Sequence, residues 1–476
     1  MEKYDLIVVG SSFASTFFLK KYLQKSNSSR RVLVLERGVQ FPYTERLAES
    51  KKEPGAKLNP NTAYTDTIVN TTPEKPWTFQ VGFGGGSNCW YGCTPRFLPN
   101  DFKMKSRYGV AEDWPIDYND IEDYYRQAEE YMSVSGPADT PFPKSTAYPQ
   151  PPHFFTDVDR ILKSRYGNLY INQPTARARL ATNGRNACCA SATCSVCPAN
   201  AKFTIENSNL EVYTDPRVTL KYGSQVVRLD LSGNSVKGVM YRENGVEKLA
   251  SAEVFALGAN SIFNAHILLN SNDKNKNTGI GLGEQLGLQV DVLLKDLKTV
   301  GGSTWVNANG YMLYDGDHRS ESAACLMETS NYPFIRIESG KWRNLASFRM
   351  IFEDLPQSQN RVTTSSDPLK PGVAFNGPSS YALKGVERMK KKLPEILSDL
   401  PVESIQYHLP YDSEAHILGT TRMSNDPAFG VVDKNLVHHN YRNLFVLGSG
   451  TFTTFTPSNP TLTLSALSLY AADKSF

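Results

Sequence analysis

The sequence predicts an α/β protein with more than one domain. Its 476 residues exceed what one hydrophobic core usually organises, so two domains, which can be interleaved along the chain, are expected. Near the N-terminus a buried strand, a glycine turn, a helix and a second buried strand follow one another, as in a βαβ unit. Alternating stretches at 348–352 and 362–364 indicate antiparallel strands within residues 291–410.

Composition and charge exclude several classes of protein. Hydrophobic residues make up 40% and charged residues 21% of the chain, and a net charge of +3 gives no reason to expect a nucleic-acid partner. Residues 1–4 lead directly into the apolar run 5–9, without the pattern of a signal peptide. No apolar run reaches the roughly 18 residues of a membrane span. The sequence therefore predicts a cytoplasmic protein that binds neither nucleic acid nor a membrane.

The N-terminal βαβ unit has the chemistry of a dinucleotide site. The turn Gly10–Ser15 precedes a predicted helix at 16–23, whose free N–H groups and dipole attract a pyrophosphate. Glu36 ends the second strand, 26 residues after Gly10, where its carboxylate accepts hydrogen bonds from ribose hydroxyls. Ser12 and Ser15 replace the second and third glycines of the usual fingerprint, and a βαβ unit without a ligand is the alternative.

A second glycine-rich segment, residues 82–92, is too rich in glycine for an ordinary turn. Such loops bring backbone N–H groups against an anion or a flat ring. A flexible surface loop is the competing interpretation. It is disfavoured because Trp90 and Tyr91 directly follow the glycines.

Two motifs near the C-terminus can carry the reaction. His416 lies in a turn, and Asn459 follows it 43 residues later in the run Asn459–Pro460–Thr461. An imidazole can take a proton from an alcohol while a carboxamide holds the alcohol oxygen. The simpler alternative is a structural histidine with satisfied hydrogen bonds. His438 and His439 are expected to be solvated residues of a polar turn.

Four of the seven cysteines crowd into one short segment, as Cys188, Cys189, Cys194 and Cys197. Compact thiol spacing of this kind suits an iron–sulfur cluster or zinc better than a dispersed disulfide framework. A disulfide or free thiols remain the alternative.

These motifs, together with Trp114–Tyr118, Tyr124–Tyr125 and Ala256–Asn260, resemble the glucose–methanol–choline (GMC) oxidoreductase family, most closely its pyranose oxidase and glycoside oxidase branch. The resemblance implies a Rossmann-like FAD-binding domain with an inserted α+β substrate domain built on an antiparallel sheet. The implied segments are 1–110, 201–290 and 411–476 for the FAD-binding domain, 111–200 for a connecting and substrate-domain segment with the cysteine-rich turn, and 291–410 for the substrate-binding domain.

The resemblance also implies a set of FAD-binding residues. These are Gly10, Ser12, Phe13, Ala14, Ser15, Glu36, Arg37, Gly85, Gly86, Ser87, Asn88, Cys89, Trp90, Val226, Ala259, Gly448, Ser449, Pro460 and Thr461. In pyranose oxidase a histidine of the glycine-rich loop binds the flavin covalently, and Cys89 stands at that position here. We therefore predict non-covalent FAD, with a thiol packed beneath it. A cysteinyl flavin is the alternative, because a thiolate is a competent nucleophile.

The implied reaction is oxidation of a secondary alcohol of a sugar, glycoside or polyol, by hydride transfer to flavin N5 with His416 as base and Asn459 as its partner. A non-sugar alcohol as substrate and a catalytically silent flavin protein are the alternatives. Residues 304–307 or 407–410 are expected to contact the substrate. The electron acceptor is oxygen or a redox partner. The cysteine segment is similar to the cluster-binding segment of the FAD glucose dehydrogenase catalytic subunit, with one gap a residue shorter, and a cluster there would favour a redox partner.

Overall fold

A computed structural model describes residues 3–52, 65–332 and 334–476 of the chain. The predicted segment 1–110 includes residues 1–2 and 53–64, which lie outside the described residues. The strands are β1 Lys3–Val9, β2 Val32–Leu35, β3 Val69–Asn70, β4 Tyr170–Asn172, β5 Val218–Lys221, β6 Ser224–Ser232, β7 Ser235–Glu243, β8 Val246–Leu257, β9 Leu286–Leu294, β10 Val306–Leu313, β11 Cys325–Ser330, β12 Leu345–Phe352, β13 Arg361–Thr363, β14 Gly372–Ala374, β15 Val402–Pro410 and β16 Leu444–Val446. The helices are α1 Phe13–Lys25, α2 Tyr43–Ser50, α3 Met104–Tyr108, α4 Tyr118–Met132, α5 Asp157–Tyr166, α6 Ile205–Ser208, α7 Glu211–Thr214, α8 Asn260–Asn270, α9 Ser380–Ile396 and α10 Thr461–Ser475.

The first sheet carries the βαβ unit. Its strand order is β5-β2-β1-β8-β7-β6, and β16 pairs with the end of β8. Strands β5, β2, β1, β8 and β16 are mutually parallel, whereas β6, β7 and β8 form an antiparallel meander. Strand β1 is buried from Leu6 to Val9, because helix α1 and the neighbouring strands β2 and β8 pack against it. Chain segments that are distant in sequence therefore meet in one sheet.

The second sheet is antiparallel and has the order β15-β9-β12-β11-β10-β4. Its first strand in sequence after β4, β9, begins at Leu286, ahead of the predicted boundary at residue 291. Apolar side chains of β9, β11 and β12 pack against α9, whose buried positions follow a helical period. The predicted α/β fold class is confirmed.

One predicted strand lies elsewhere. The alternating stretch 362–364 belongs to the segment implied for the substrate-binding domain, but it does not join the second sheet: β13 pairs with β14 in antiparallel fashion, and β14 pairs in parallel with β3. This small separate sheet packs with Ile262 and Phe263 of α8. Alternation identified a strand correctly but does not determine which sheet the strand joins.

None of the helices in the described ranges combines the length and the apolar character that a membrane crossing needs.

Candidate active site

A cavity of about 1040 Å³ runs from the βαβ turn of the first sheet to the face of the second sheet. Both ends of the predicted site open into it. The predicted residues that line it are Gly10, Ser12, Phe13, Glu36, Arg37, Gly85, Gly86, Cys89, Trp90, Val226, Ala259, His416, Ser449, Asn459 and Thr461. The predicted residues outside its lining are Ala14, Ser15, Ser87, Asn88, Gly448, Pro460 and the four cysteines of the segment 188–197.

The N-terminus of α1 faces the cavity and is available to an anion. Ser12 is its N-cap and makes no capping hydrogen bond through its side chain, so the first N–H groups of the helix have no partner from that side chain. Gly10 has φ +87°, and a Cβ added there would lie 2.6 Å from the Gly258 carbonyl oxygen. Glycine is therefore required for the close approach of the turn to β8. Ser15 faces away, with its hydroxyl donating to the Val9 carbonyl at 3.3 Å.

Glu36 is buried at the end of β2 and is held from two sides. Its Oε2 accepts from the Ser11 hydroxyl at 2.7 Å, and its Oε1 accepts from the Gly38 N–H at 2.9 Å. Each oxygen keeps acceptor capacity toward the cavity. Arg37, the next residue, places its guanidinium over the ring of Phe263.

The glycine-rich loop forms a tight turn at Gly85–Asn88 against α1. A Cβ on Gly86 would meet nothing within 4 Å, so the bare backbone of this residue borders open cavity. Ser87 and Asn88 serve the loop itself. The Ser87 hydroxyl accepts from the Ile205 N–H, and the Asn88 amide donates to the Phe83 carbonyl. A flat group can therefore lie against the loop at Gly86 and Cys89.

His416 has one ring nitrogen committed to the protein. Its Nδ1 lies 2.9 Å from Oε1 of Gln285. The Gln285 amide nitrogen donates to the Thr456 and Ser458 carbonyls at 2.8 and 3.0 Å, which fixes the amide so that its oxygen faces His416. Nδ1 therefore carries the proton, and Nε2 has a free lone pair. Burial, assisted by the charge of Arg349, lowers the pKa of His416 to about 3.

Asn459 is buried beside a second glutamine and an acid. Nε2 of Gln173 lies 3.5 Å from Oδ1 of Asn459 and donates to Oε1 of Glu328 at 3.2 Å. The Asn459 amide also hydrogen-bonds the Glu328 carboxylate. Its nitrogen therefore points toward Glu328 and its oxygen toward Gln173. The two glutamines are positioning residues for His416 and Asn459, and sequence reasoning missed both.

Sequence reasoning also missed three charged residues of the cavity wall: Glu328, Arg349 and Glu414. Arg349 forms an ion pair with Glu414 at 2.7 Å. Burial raises the pKa of Glu328 to about 7, although Arg349 opposes the rise. A detectable signal existed, because Glu328 and Arg349 are the charged residues of otherwise apolar or small-residue strands, Cys325–Ser330 and Leu345–Phe352.

Aromatic residues form the far wall of the cavity. The rings of Tyr91 and Trp305 stack with centroids 5.0 Å apart, and Tyr332 packs on Trp305 at 4.4 Å. Of the two predicted substrate segments, 304–307 contributes Trp305 and Val306 to the lining. The alternative segment 407–410 does not line the cavity and lies on the exposed edge strand β15.

The four clustered cysteines lie behind this wall. Among the described residues no three cysteine, histidine or acidic side chains are placed to hold one metal ion. The backbone N–H of Trp305 contacts the Cys194 sulfur at 3.3 Å, which joins the segment to the cavity wall. Arg177 is buried nearby, and its three guanidinium nitrogens have no hydrogen-bond partner in the described part of the chain. Burial lowers the pKa of Arg177, but the nearby sulfurs together outweigh this effect, so the pKa is raised. These sulfurs belong to Cys194, Cys93, Cys188 and Cys197.

The expectation for His438 is wrong. Its side chain is fully buried, and its Nε2 lies 3.3 Å from the buried carboxylate of Asp273. The turn is polar, but the segment after α8 covers it, so the histidine is a structural residue. His439 is partly buried and contacts the Ser424 carbonyl.

Comparison with known proteins extends these observations. Residues 356–468 match the family model described as GMC oxidoreductase. The chain is 27% identical to the fructose dehydrogenase large subunit of Gluconobacter japonicus, over 82% of this chain and 80% of that protein. It is 25% identical to paromamine 6'-oxidase of Streptomyces fradiae, over 98% of this chain and 90% of that protein.

The fold is also similar to a solved structure over nearly its full length. The crystal structure of pyridoxine 4-oxidase from Mesorbium loti superposes with a TM-score of 0.67 at 16% identity, and covers 99% of each chain. The matched C-terminal segment contains both the His416 motif and the Asn459 motif. The C-terminal segment 356–468 is therefore similar to GMC oxidoreductases, and two relatives that match at least 82% of the chain are oxidoreductases by name.

Proposed function

We propose that this chain is an FAD-dependent oxidoreductase that oxidises a secondary alcohol of a sugar, glycoside or polyol. The observation that carries the proposal is that one continuous cavity joins the N-terminus of α1 and Glu36 to His416 and Asn459. A dinucleotide that spans the cavity would bring its reactive ring next to a base and an amide. Two relatives, named for fructose and paromamine, support a polyhydroxy substrate.

The residues present fit FAD at three places. The uncapped N-terminus of α1 suits the pyrophosphate, and Glu36 suits a ribose. The open backbone at Gly86 gives a flat ring room to approach. Bound FAD would supply a hydride acceptor at its N5 atom.

His416 and Asn459 divide the work on the alcohol. Nε2 of His416 accepts the hydroxyl proton, because Nδ1 is already protonated toward Gln285. The Asn459 amide holds the alcohol oxygen, and its own orientation is fixed by Gln173 and Glu328. Helix α10 begins at Thr461, and the dipole at its N-terminus favours negative charge at this end of the cavity.

Anaerobic mixing with candidate substrates tests the proposal. We expect sugars, glycosides or polyols to bleach the oxidised flavin band near roughly 450 nm. Bleaching by simple non-sugar alcohols alone would move the substrate class to the first alternative. No bleaching with any alcohol, in a protein that retains FAD, would identify a silent flavin protein and contradict the proposal. The cytoplasmic location stays a prediction.

We predict that the FAD is bound non-covalently. Cys89 lines the cavity, and its sulfur contacts the Gly86 carbonyl at 3.6 Å, as a packing thiol does. Acid precipitation should therefore release the flavin to the supernatant, and Cys89→Ser should release it to the same extent. Flavin colour that stays with the wild-type pellet and is lost from the Cys89→Ser pellet would show a cysteinyl link instead.

We predict a pH transition near 7 in flavin reduction by a neutral alcohol. His416, with a pKa of about 3, is already unprotonated there, whereas Glu328, with a pKa of about 7, changes charge. Only ionised Glu328 accepts fully from Gln173 and Asn459, so the rate should fall as pH falls through about 7. Of the other charged groups at this wall, Arg349 and Glu414 are paired with each other. A transition that persists in Glu328→Gln would assign it to another group.

The iron–sulfur cluster stays a second prediction, with Cys188, Cys189, Cys194 and Cys197 as its ligands. One observation favours it over a single zinc ion. The buried Arg177 guanidinium has no acceptor among the described residues and lies among these thiols, so an anionic cluster would compensate its charge. Such a cluster would pass single electrons to a redox partner, and without it oxygen is the favoured acceptor. Iron and acid-labile sulfide in anaerobically purified protein test this; their absence contradicts it.

A further inference from the structure

Among the described residues, the charged side chains that line the substrate end of the cavity form ion pairs, with one exception. Arg349 pairs with Glu414 at 2.7 Å, and behind them Lys75 pairs with Glu284 at 2.8 Å. Among the described residues, no cation forms an ion pair with Glu328 within 4.0 Å. Neither Arg349 nor Arg177 does so. One buried carboxylate is therefore left over.

Glu328 nevertheless faces the substrate. It lines the same cavity as His416 and Asn459 and is 2% exposed. It stands opposite Arg349 in the register of β11 and β12, but the Arg349 guanidinium turns to Glu414 and lies under the ring of Tyr411. The side-chain donors that reach the Glu328 carboxylate, Gln173 and Asn459, are neutral amides.

A buried carboxylate without a cation is unfavourable, since neutral donors do not offset the loss of hydration of its charge. A ligand cation would offset that loss, and a hydroxyl group would not. The aromatic wall of Tyr91, Trp305 and Tyr332 lines the same cavity, and ring faces attract cations. In the described part of the chain, the lining of the substrate end therefore has an unpaired acid and aromatic rings, while its arginine, Arg349, is paired with Glu414.

We propose that Glu328 binds the ammonium group of the substrate, so that the substrate class is amino sugars, aminocyclitols or related amino alcohols. This inference rests on the proposed function, because the ammonium group is placed relative to a hydroxyl at His416. It narrows the substrate class and leaves the oxidation step unchanged. Glu328 is thus a specificity residue as well as a neighbour of Asn459.

The test compares one charged and one neutral derivative of the same sugar ring. D-glucosamine carries an ammonium group at neutral pH, and N-acetyl-D-glucosamine does not. The ratio of their second-order rate constants for anaerobic flavin reduction should favour glucosamine in the wild type. It should fall at least ten-fold in Glu328→Gln, which is about 1.4 kcal/mol. The ratio cancels any loss that both sugars share through Asn459.

A second measurement does not need turnover. Calorimetry of the FAD-loaded protein with glucosamine should show binding that Glu328→Gln weakens at least ten-fold. Glu403→Gln is the matched control, because Glu403 pairs with Arg336 outside the cavity. An unchanged ratio and unchanged binding in Glu328→Gln, or a wild-type preference for the neutral sugar, would overturn the inference. Failure of the proposed function would give a different result, because then neither amino sugars nor neutral alcohols would reduce the flavin.

Discussion

Replacement of His416 by alanine is expected to slow flavin reduction by substrate about 10²- to 10⁴-fold. In the proposed function the imidazole is the base, because the proton on Nδ1 faces Gln285 and Nε2 keeps a free lone pair. Its loss leaves the hydroxyl proton to water. FAD content should stay at the wild-type level, because the dinucleotide end of the cavity, at Gly10 and Glu36, is untouched.

His408→Ala is the matched control for this variant. His408 is exposed on β15, pairs with Asp291 and lies outside the cavity. Stopped-flow reduction under anaerobic conditions gives the rates, and the absorbance spectrum of each purified variant gives its flavin content. Undiminished reduction in His416→Ala would remove this residue from the mechanism. Loss of FAD together with activity would instead give His416 a structural role.

The elements that could be predicted from the sequence are those whose signal is local. The βαβ unit is continuous in sequence, and each step, from the buried strand at Leu6 to the acid at Glu36, leaves its own pattern. His416 and Asn459 could be found because each lies inside a compact motif. Their convergence on one cavity followed from the resemblance and not from their separation of 43 positions in sequence.

The partners of these residues carry no local signal. Gln173 follows β4, Gln285 precedes β9 and Glu328 lies in β11, so they meet His416 or Asn459 only through the register of the second sheet. A glutamine next to a strand is common, and nothing in its own neighbourhood marks it. The same reason explains His438, whose polar turn predicted exposure although Asp273, far away in sequence, covers it. Tertiary contact decides burial at such positions.

Replacement of Arg319 by methionine is expected to lower the free energy of unfolding by about 3–5 kcal/mol. Arg319 is fully buried between two carboxylates, at 2.6 Å from Glu353 and 2.9 Å from Asp101. Methionine fills a similar length but leaves both acids without their cation. These two ion pairs of Arg319 connect the loop at Asp101 to the second sheet. The substitution should therefore lower the stability of the whole fold and leave the cavity residues unchanged.

The loss of stability in Arg319→Met should also depend on pH and should be larger at higher pH. Burial already raises the pKa of Asp101 to about 6 against the opposing charge of Arg319, and without that charge it should rise further. A carboxyl whose pKa is higher in the folded than in the unfolded state binds more protons when folded, so stability falls as pH rises. The loss of unfolding free energy in Arg319→Met, measured with urea, should therefore grow between about pH 5 and pH 8.

Arg160→Met is the control. It removes an exposed pair with Asp157 and should cost less than about 1 kcal/mol at either pH. An equally small loss in Arg319→Met would mean that Asp101 and Glu353 find other partners, and that this buried cluster does not stabilise the fold.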